Sequence, residues 1–283
     1  MAMTPVVTAS IMIIVSGAAH AVVNAILKSG QDKMSSRALI DGFSALIVLP
    51  FAFVVVLPTG AWGWLGISGV LHLLYLLYLL CLIRAFEAAD MTVAYPIARG
   101  VAPAMAASVA VGVFGEPITV ATTCGIGLIS VGVMTVGMGR SVSRDGLLWA
   151  LATGALTALY TVLDAQGVRA APSAPSYIVW IYLIDGLIIG SAFAIWRGPR
   201  FLLAARSEWK PGLVAGAFSL VTYGLALWAF RIGDTPRLAA LRETSILFGV
   251  AIAVVFLKER LTLGRLVGIV TIALGAATLL AAN

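Results

Sequence analysis

Apolar residues in this chain gather into ten long runs divided by short polar stretches, at about 5–27, 36–57, 62–83, 91–113, 118–138, 147–168, 176–196, 211–230, 236–257 and 262–281. Each run is close to the roughly 20 residues that a helix needs to cross the hydrocarbon of a bilayer. An open sheet cannot satisfy its edge groups in lipid, and the runs are about twice the length of a barrel strand, so helices are the assignment. The pattern predicts an all-α integral membrane protein of ten transmembrane helices. The first run has no basic segment before it and is too long for the apolar part of a signal peptide, so it is expected to remain as the first helix.

Composition agrees. Hydrophobic residues make up 61% of the chain and charged residues 11%, whereas soluble domains carry about a quarter charged. A formal charge of +6 could point to nucleic acid, but the basic residues sit mostly in the connections. Connections after odd-numbered runs hold 13 of them, between Lys28 and Arg265, and the opposite side holds Arg169, Arg231 and Arg237. They read as topology signals that place the odd connections in the cytoplasm and both termini on the other side of a cell inner membrane. Cys81 and Cys124 each lie inside an apolar run, so no disulfide framework is implied.

Sliding the chain against itself reveals a repeat. At an offset of 143, Arg99 falls on Arg242, Glu116 on Glu259, Thr119 on Thr262, Gly125 on Gly268 and Gly132 on Gly275. At 144, Asp41-Gly42 falls on Asp185-Gly186, and at 137 Gly17 falls on Gly154. Two five-helix units, 1–140 and 145–283, account for these matches. An odd number of helices per unit sets the second copy upside down, the inverted-repeat plan of many secondary transporters, whose solute site lies between the repeats near the midplane.

The segment Phe114-Gly115-Glu116-Pro117-Ile118-Thr119, and its counterpart Phe256-Leu257-Lys258-Glu259-Arg260-Leu261-Thr262, each precede an apolar helix with two glycines seven residues apart. This doubled motif resembles the signature of the EamA branch of the drug/metabolite transporter superfamily. The resemblance implies a carrier of small solutes without an ATPase, often an exporter, and says little about the substrate. Relatives are often drawn with their termini in the cytoplasm, opposite to the charge bias. Within each motif the glutamate is expected to stand beside the positive end of the helix that follows and to be architectural.

Ionisable groups deep in a spanning helix are expensive and point to function. Arg99 and Arg242 lie about a third of the way into the fourth and ninth runs, which enter from opposite faces, so both are expected to border one central cavity. A guanidinium fork suits a carboxylate, phosphonate or phosphate and favours an anionic or zwitterionic solute. The structural alternative pairs Arg242 with a carboxylate such as Asp185 and Arg99 with backbone carbonyls. Pro96 and Pro103 bracket Arg99 and predict a bent or partly unwound helix there.

Asp185 and Glu243 are the candidates for a proton-titrating coupling group, with permanent salt bridging as the competing reading. Tyr75, Tyr78, Tyr95, Tyr160, Tyr223 and Trp228 are candidates to line the cavity, against packing or interfacial roles. His20 and Asn24, one turn apart on the first helix, join the candidate solute contacts, although an interhelical hydrogen bond accounts for them equally and no metal set is formed. No cofactor is implied. The expected partners are a small solute and the lipid bilayer, with a coupling proton and a homodimer as options and nucleic acid excluded. A membrane-embedded lipid-modifying enzyme and a non-transporting scaffold are the rival readings.

Overall fold

The computed structural model describes residues 4–29, 33–67, 70, 91–136, 143–255 and 262–282, and among these every regular element is helical. They form α1 (Pro5–Ser29), α2 (Lys33–Val48), a short 3₁₀ turn (Leu49–Phe53), α3 (Met91–Gly112), α4 (Val120–Val136), α5 (Arg144–Ala170), α6 (Ala174–Arg197), α7 (Pro199–Ile232), α8 (Thr235–Arg242), α9 (Ser245–Val255) and α10 (Leu263–Ala281). Six helical stretches are long and apolar enough to cross a membrane, with shorter apolar helices at 96–112 and 120–136. Most of the third predicted run, including Tyr75 and Tyr78, lies outside the described residues, as does Glu259.

Three boundaries differ from the apolar pattern. α2 gives way to a 3₁₀ turn at Leu49, where Pro50 brings no N–H. α7 is a single helix of 34 residues that takes in the polar stretch 199–210, read from its charge as a connection. Gly198 opens it with φ at +52°, a backbone that suits glycine, and Pro199 supplies a first residue already fixed in helical φ. The ninth run is two helices, α8 and α9, divided at Glu243 and Thr244.

The closest seam joins α4 to α10. Buried residues of α4 recur at Thr122, Gly125, Ile129, Gly132 and Val133, and those of α10 at Gly268, Ile272, Gly275 and Leu279, one face of each helix. A side chain at Gly132 would meet the Gly268 carbonyl at 2.9 Å, and one at Gly275 would meet the Gly125 carbonyl at 2.9 Å. The two helices therefore run in opposite directions with their backbones nearly touching. Lipid gives no hydrophobic push between helices, so small residues and dense van der Waals contact supply the attraction. Elsewhere α1 packs on α7, α3 on α5, and α2 on α6 and α7.

The doubled motif has a local explanation. Thr119 accepts a hydrogen bond from the Thr122 N–H at 3.1 Å, and Thr262 accepts one from Arg265 at 3.3 Å, so each threonine caps the helix after its motif. Gly115, at φ +66°, turns the chain out of α3. Such a φ is strained for a residue with a Cβ.

Candidate functional site

The ninth span breaks where its charges are. α8 ends at Arg242, and the next amides close tighter three-residue turns: Glu243 N–H to the Ala240 carbonyl at 3.0 Å and Thr244 N–H to the Leu241 carbonyl at 3.1 Å. No proline or glycine falls between Thr244 and Leu238. The polar run Arg242-Glu243-Thr244-Ser245 supplies the break, with the Thr244 hydroxyl bonding the Leu241 carbonyl at 2.7 Å. In the fourth span the helix expected to be bent or partly unwound is not unwound: α3 is continuous through Pro96 and Pro103. Packed neighbours in a membrane bundle can absorb the backbone groups a proline frees.

Glycines bring these spans to their neighbours. Gly154 of α5 lies so close to α3 that a Cβ there would stand 2.8 Å from the Ala98 carbonyl, the residue before Arg99. A Cβ at Gly17 of α1 would stand 3.3 Å from the backbone nitrogen of Ser245, the first residue of α9. Arg99 is half-buried and reaches across: its Nε stands 3.0 Å from Glu243 Oε2, and its Nη2 donates to the Ser245 hydroxyl at 3.0 Å.

Arg242 differs. It is only 9% exposed, and although the Nε of each arginine is buried without a hydrogen-bond acceptor, no ion pair to Arg242 is formed among the described residues. Its guanidinium carbon sits 5.3 Å from the centre of the Tyr223 ring, a cation–π arrangement. The pairing of Arg242 with Asp185 is thus absent. Asp185 lies within electrostatic reach of Tyr182, together with Asp41 and Arg37.

Arg99, Arg242 and Glu243 line one cavity with Thr157 and Thr161 of α5, its walls completed by Pro103 and small residues such as Ala102, Ala158 and Ala239. The space that admits a water centre is about 20 Å³, room for about a single water. A metabolite needs the cavity to widen.

Behind Arg242 lies a group that the pattern of charges does not single out. Asp164 of α5 is fully buried and accepts hydrogen bonds from the Tyr177 hydroxyl at 2.7 Å and from the Tyr223 hydroxyl. Tyr160 and Tyr182 meet the Tyr223 ring edge to face, with centroids 6.5 and 6.4 Å away. His20 is half-buried within electrostatic reach of both cavity arginines. Asn24 is half-buried one turn further along α1. Trp228 is 41% exposed on α7 and does not line the cavity, and the side chain of Tyr95 lies outside the described residues.

A second polar cluster closes one end of the bundle. Glu116 Oε1 accepts from Arg169 Nη1 at 2.6 Å, Thr235 Oγ1 at 2.8 Å and Gln166 Nε2 at 3.0 Å, while Oε2 accepts the Thr235 N–H at 2.9 Å. The glutamate therefore serves the amino end of α8 and not that of its own following helix. Arg169, on α5, also donates to the carbonyls of Phe230 and Gly233 at the end of α7. Arg231, on α7, donates in return to the carbonyls of Val168, Ala171 and Pro172 at the end of α5. Arg237 donates to the Ala282 carbonyl at 3.2 Å, at the end of α10. All three arginines of the less basic side thus cap helix carboxyl ends, where the helix dipole favours a cation.

A polytopic helical bundle with a buried guanidinium at the break of a discontinuous span has the construction of a membrane carrier. The sequence profile of the EamA-like transporter family matches residues 144–281, just under half of the chain, and supports an EamA-type transporter of the drug/metabolite transporter superfamily. A solved crystal structure shares the fold at 16% identity, with a TM-score of 0.68 over 95% of this chain and 94% of that one. No curated protein matches the sequence.

Proposed function

We propose that this protein is a secondary transporter of a small anionic or zwitterionic metabolite in a cell inner membrane, working by alternating access between two inverted five-helix units. The observation that carries this reading is Arg242: a buried, cavity-lining guanidinium with no ion pair among the described residues. Leaving a guanidinium buried this way is costly unless an anion completes it for part of the working cycle. The fork suits a carboxylate or phosphate held by two parallel hydrogen bonds.

Arg99 and Arg242 are equivalent in the repeat but divide the work. Arg99 is held by Glu243 and Ser245 and ties α3 to the broken ninth span, so Arg242 makes the first contact with the solute. Glu243, in the cavity wall, is the better placed candidate for a coupling proton, and Asp185 lies apart with Asp41. The inverted plan has support in contacts that repeat across the halves. Gly17 touches Ser245 as Gly154 touches Val101, and Gly125 and Gly132 meet Gly275 and Gly268 in reverse order.

A lipid-modifying enzyme is the weaker reading, because among the described residues no three His, Cys, Asp or Glu stand together as a metal set and the cavity offers threonines, a glutamate and arginines. The test is exchange in proteoliposomes of labelled lactate, alanine and phosphoethanolamine. Wild type should exchange at least one of them, Arg242→Ala should lose it by about a hundredfold while still inserting, and Arg242→Lys should recover little, since an ammonium lacks the planar fork. Normal exchange by Arg242→Ala, or none of the three carried by wild type, removes the proposal.

A further inference from the structure

The way Arg242 is held raises a question of charge. A carboxylate in direct contact would satisfy it but would occupy the fork that a solute anion needs. What stands beside it is the face of Tyr223, at 5.3 Å, and the hydroxyl of that phenol bonds Asp164. Asp164 lies on α5, Tyr223 on α7 and Arg242 at the end of α8, so one chain of contacts joins three helices.

We propose that Asp164 is a positioning residue for the solute anion, acting through Tyr223 to hold the Arg242 guanidinium at the cavity with its fork turned to the solute. This rests on Arg242 being the solute contact. A phenol that donates its proton toward a carboxylate gains electron density in the ring, which deepens the negative face on which a cation rests. Asp164 thereby acts on Arg242 from a distance and leaves its N–H groups for another acceptor. In a bundle interior of low dielectric such polarisation along a hydrogen-bonded chain is strengthened.

The chain of contacts is rigid along its length. Tyr177, which bonds the other oxygen of Asp164, is itself fully buried and lies over Gly167, where a Cβ would stand 2.5 Å from its hydroxyl. Tyr223 is braced edge to face by Tyr160 and Tyr182. Neither oxygen of Asp164 can swing away without breaking a tyrosine contact, so the carboxylate is fixed relative to the ring. A cluster needed only for packing would place apolar side chains here more cheaply.

The experiment measures exchange kinetics of lactate, alanine and phosphoethanolamine in proteoliposomes for Tyr223→Phe, Asp164→Asn, the double variant and Tyr177→Phe. Tyr223→Phe keeps the ring and cuts the link to Asp164. It and Asp164→Asn should each raise KM for the carried probe about tenfold with the maximal rate within about twofold, and the double variant should match either single change, since both cut one link. Tyr177→Phe, which loosens Asp164 but leaves the Tyr223 link intact, should raise KM by less than Tyr223→Phe does. An unchanged KM in Tyr223→Phe, or effects of Asp164→Asn and Tyr223→Phe that multiply in the double variant, overturns the inference. If Asp164→Asn fails to insert, Tyr223→Phe alone decides by the same split of KM against rate. Arg242→Ala separates the two levels: full activity in it removes the reading of the site, whereas its loss beside an unaffected Tyr223→Phe removes only the role of Asp164.

Discussion

Two buried clusters of charge share this bundle, and they differ in how completely each is satisfied. At the closed end, both oxygens of Glu116 accept hydrogen bonds, from four donors in all, and Arg169 answers with four bonds of its own. At the cavity, Arg242 rests on a ring face with its Nε unmatched. A satisfied cluster joins helix ends and has nothing left to offer. An unsatisfied one is costly while empty, and the cost makes sense where a solute comes and goes. Charge in lipid is thus informative through what is missing around it as much as through its presence.

The largest effect should follow breaking the satisfied cluster. Glu116→Ala leaves the Arg169 guanidinium and the Thr235 amide without their acceptor and should lower stability by about 3–5 kcal/mol, read as a loss of helical signal at lower denaturant in detergent. An apolar defect gives the reference. Gly132→Leu forces α4 from α10 against backbone atoms 2.8–2.9 Å away, and overpacking of this kind costs about 1–3 kcal/mol by the same measurement. Thr235→Ala removes one hydroxyl that both gives to Glu116 and receives from Arg169, for a loss of about 1 kcal/mol. The smallest effect, and one of opposite tendency, belongs to the cavity: Arg242→Met should leave stability within about 0.5 kcal/mol of wild type or raise it, since it removes a buried charge that has no ion pair. A fall as large as that of Glu116→Ala would make the two clusters alike and end the comparison.

The apolar helical character of the chain is legible in the sequence because lipid imposes one rule on every run, and Arg99 and Arg242 are legible as a pair because they match at one offset. Their unequal surroundings are not, since they depend on which way Glu243 turns after the helix breaks. That break left only a faint signal, four polar residues in a row without proline or glycine, whereas Pro96 and Pro103, which predict a bend or a partly unwound turn, lie within an unbroken helix. Asp164 sits near the end of the sixth run, where a charge reads as an interfacial residue. Its burial follows from Gly167 admitting Tyr177 and from α7 bringing Tyr223 alongside, contacts made across separate helices. For Glu116 the architectural role was readable, but its partner was not. The helix end it serves, at Thr235, lies 119 residues away.

The size of the cavity has a further consequence, for the membrane and not the solute. Protons cross proteins fastest along unbroken files of water, and a space with room for about a single water, bounded by Ala102, Ala158, Ala239 and Pro103, interrupts any file that would run past the arginines. Vesicles carrying the protein without solute should therefore keep an imposed pH difference as long as vesicles of lipid alone.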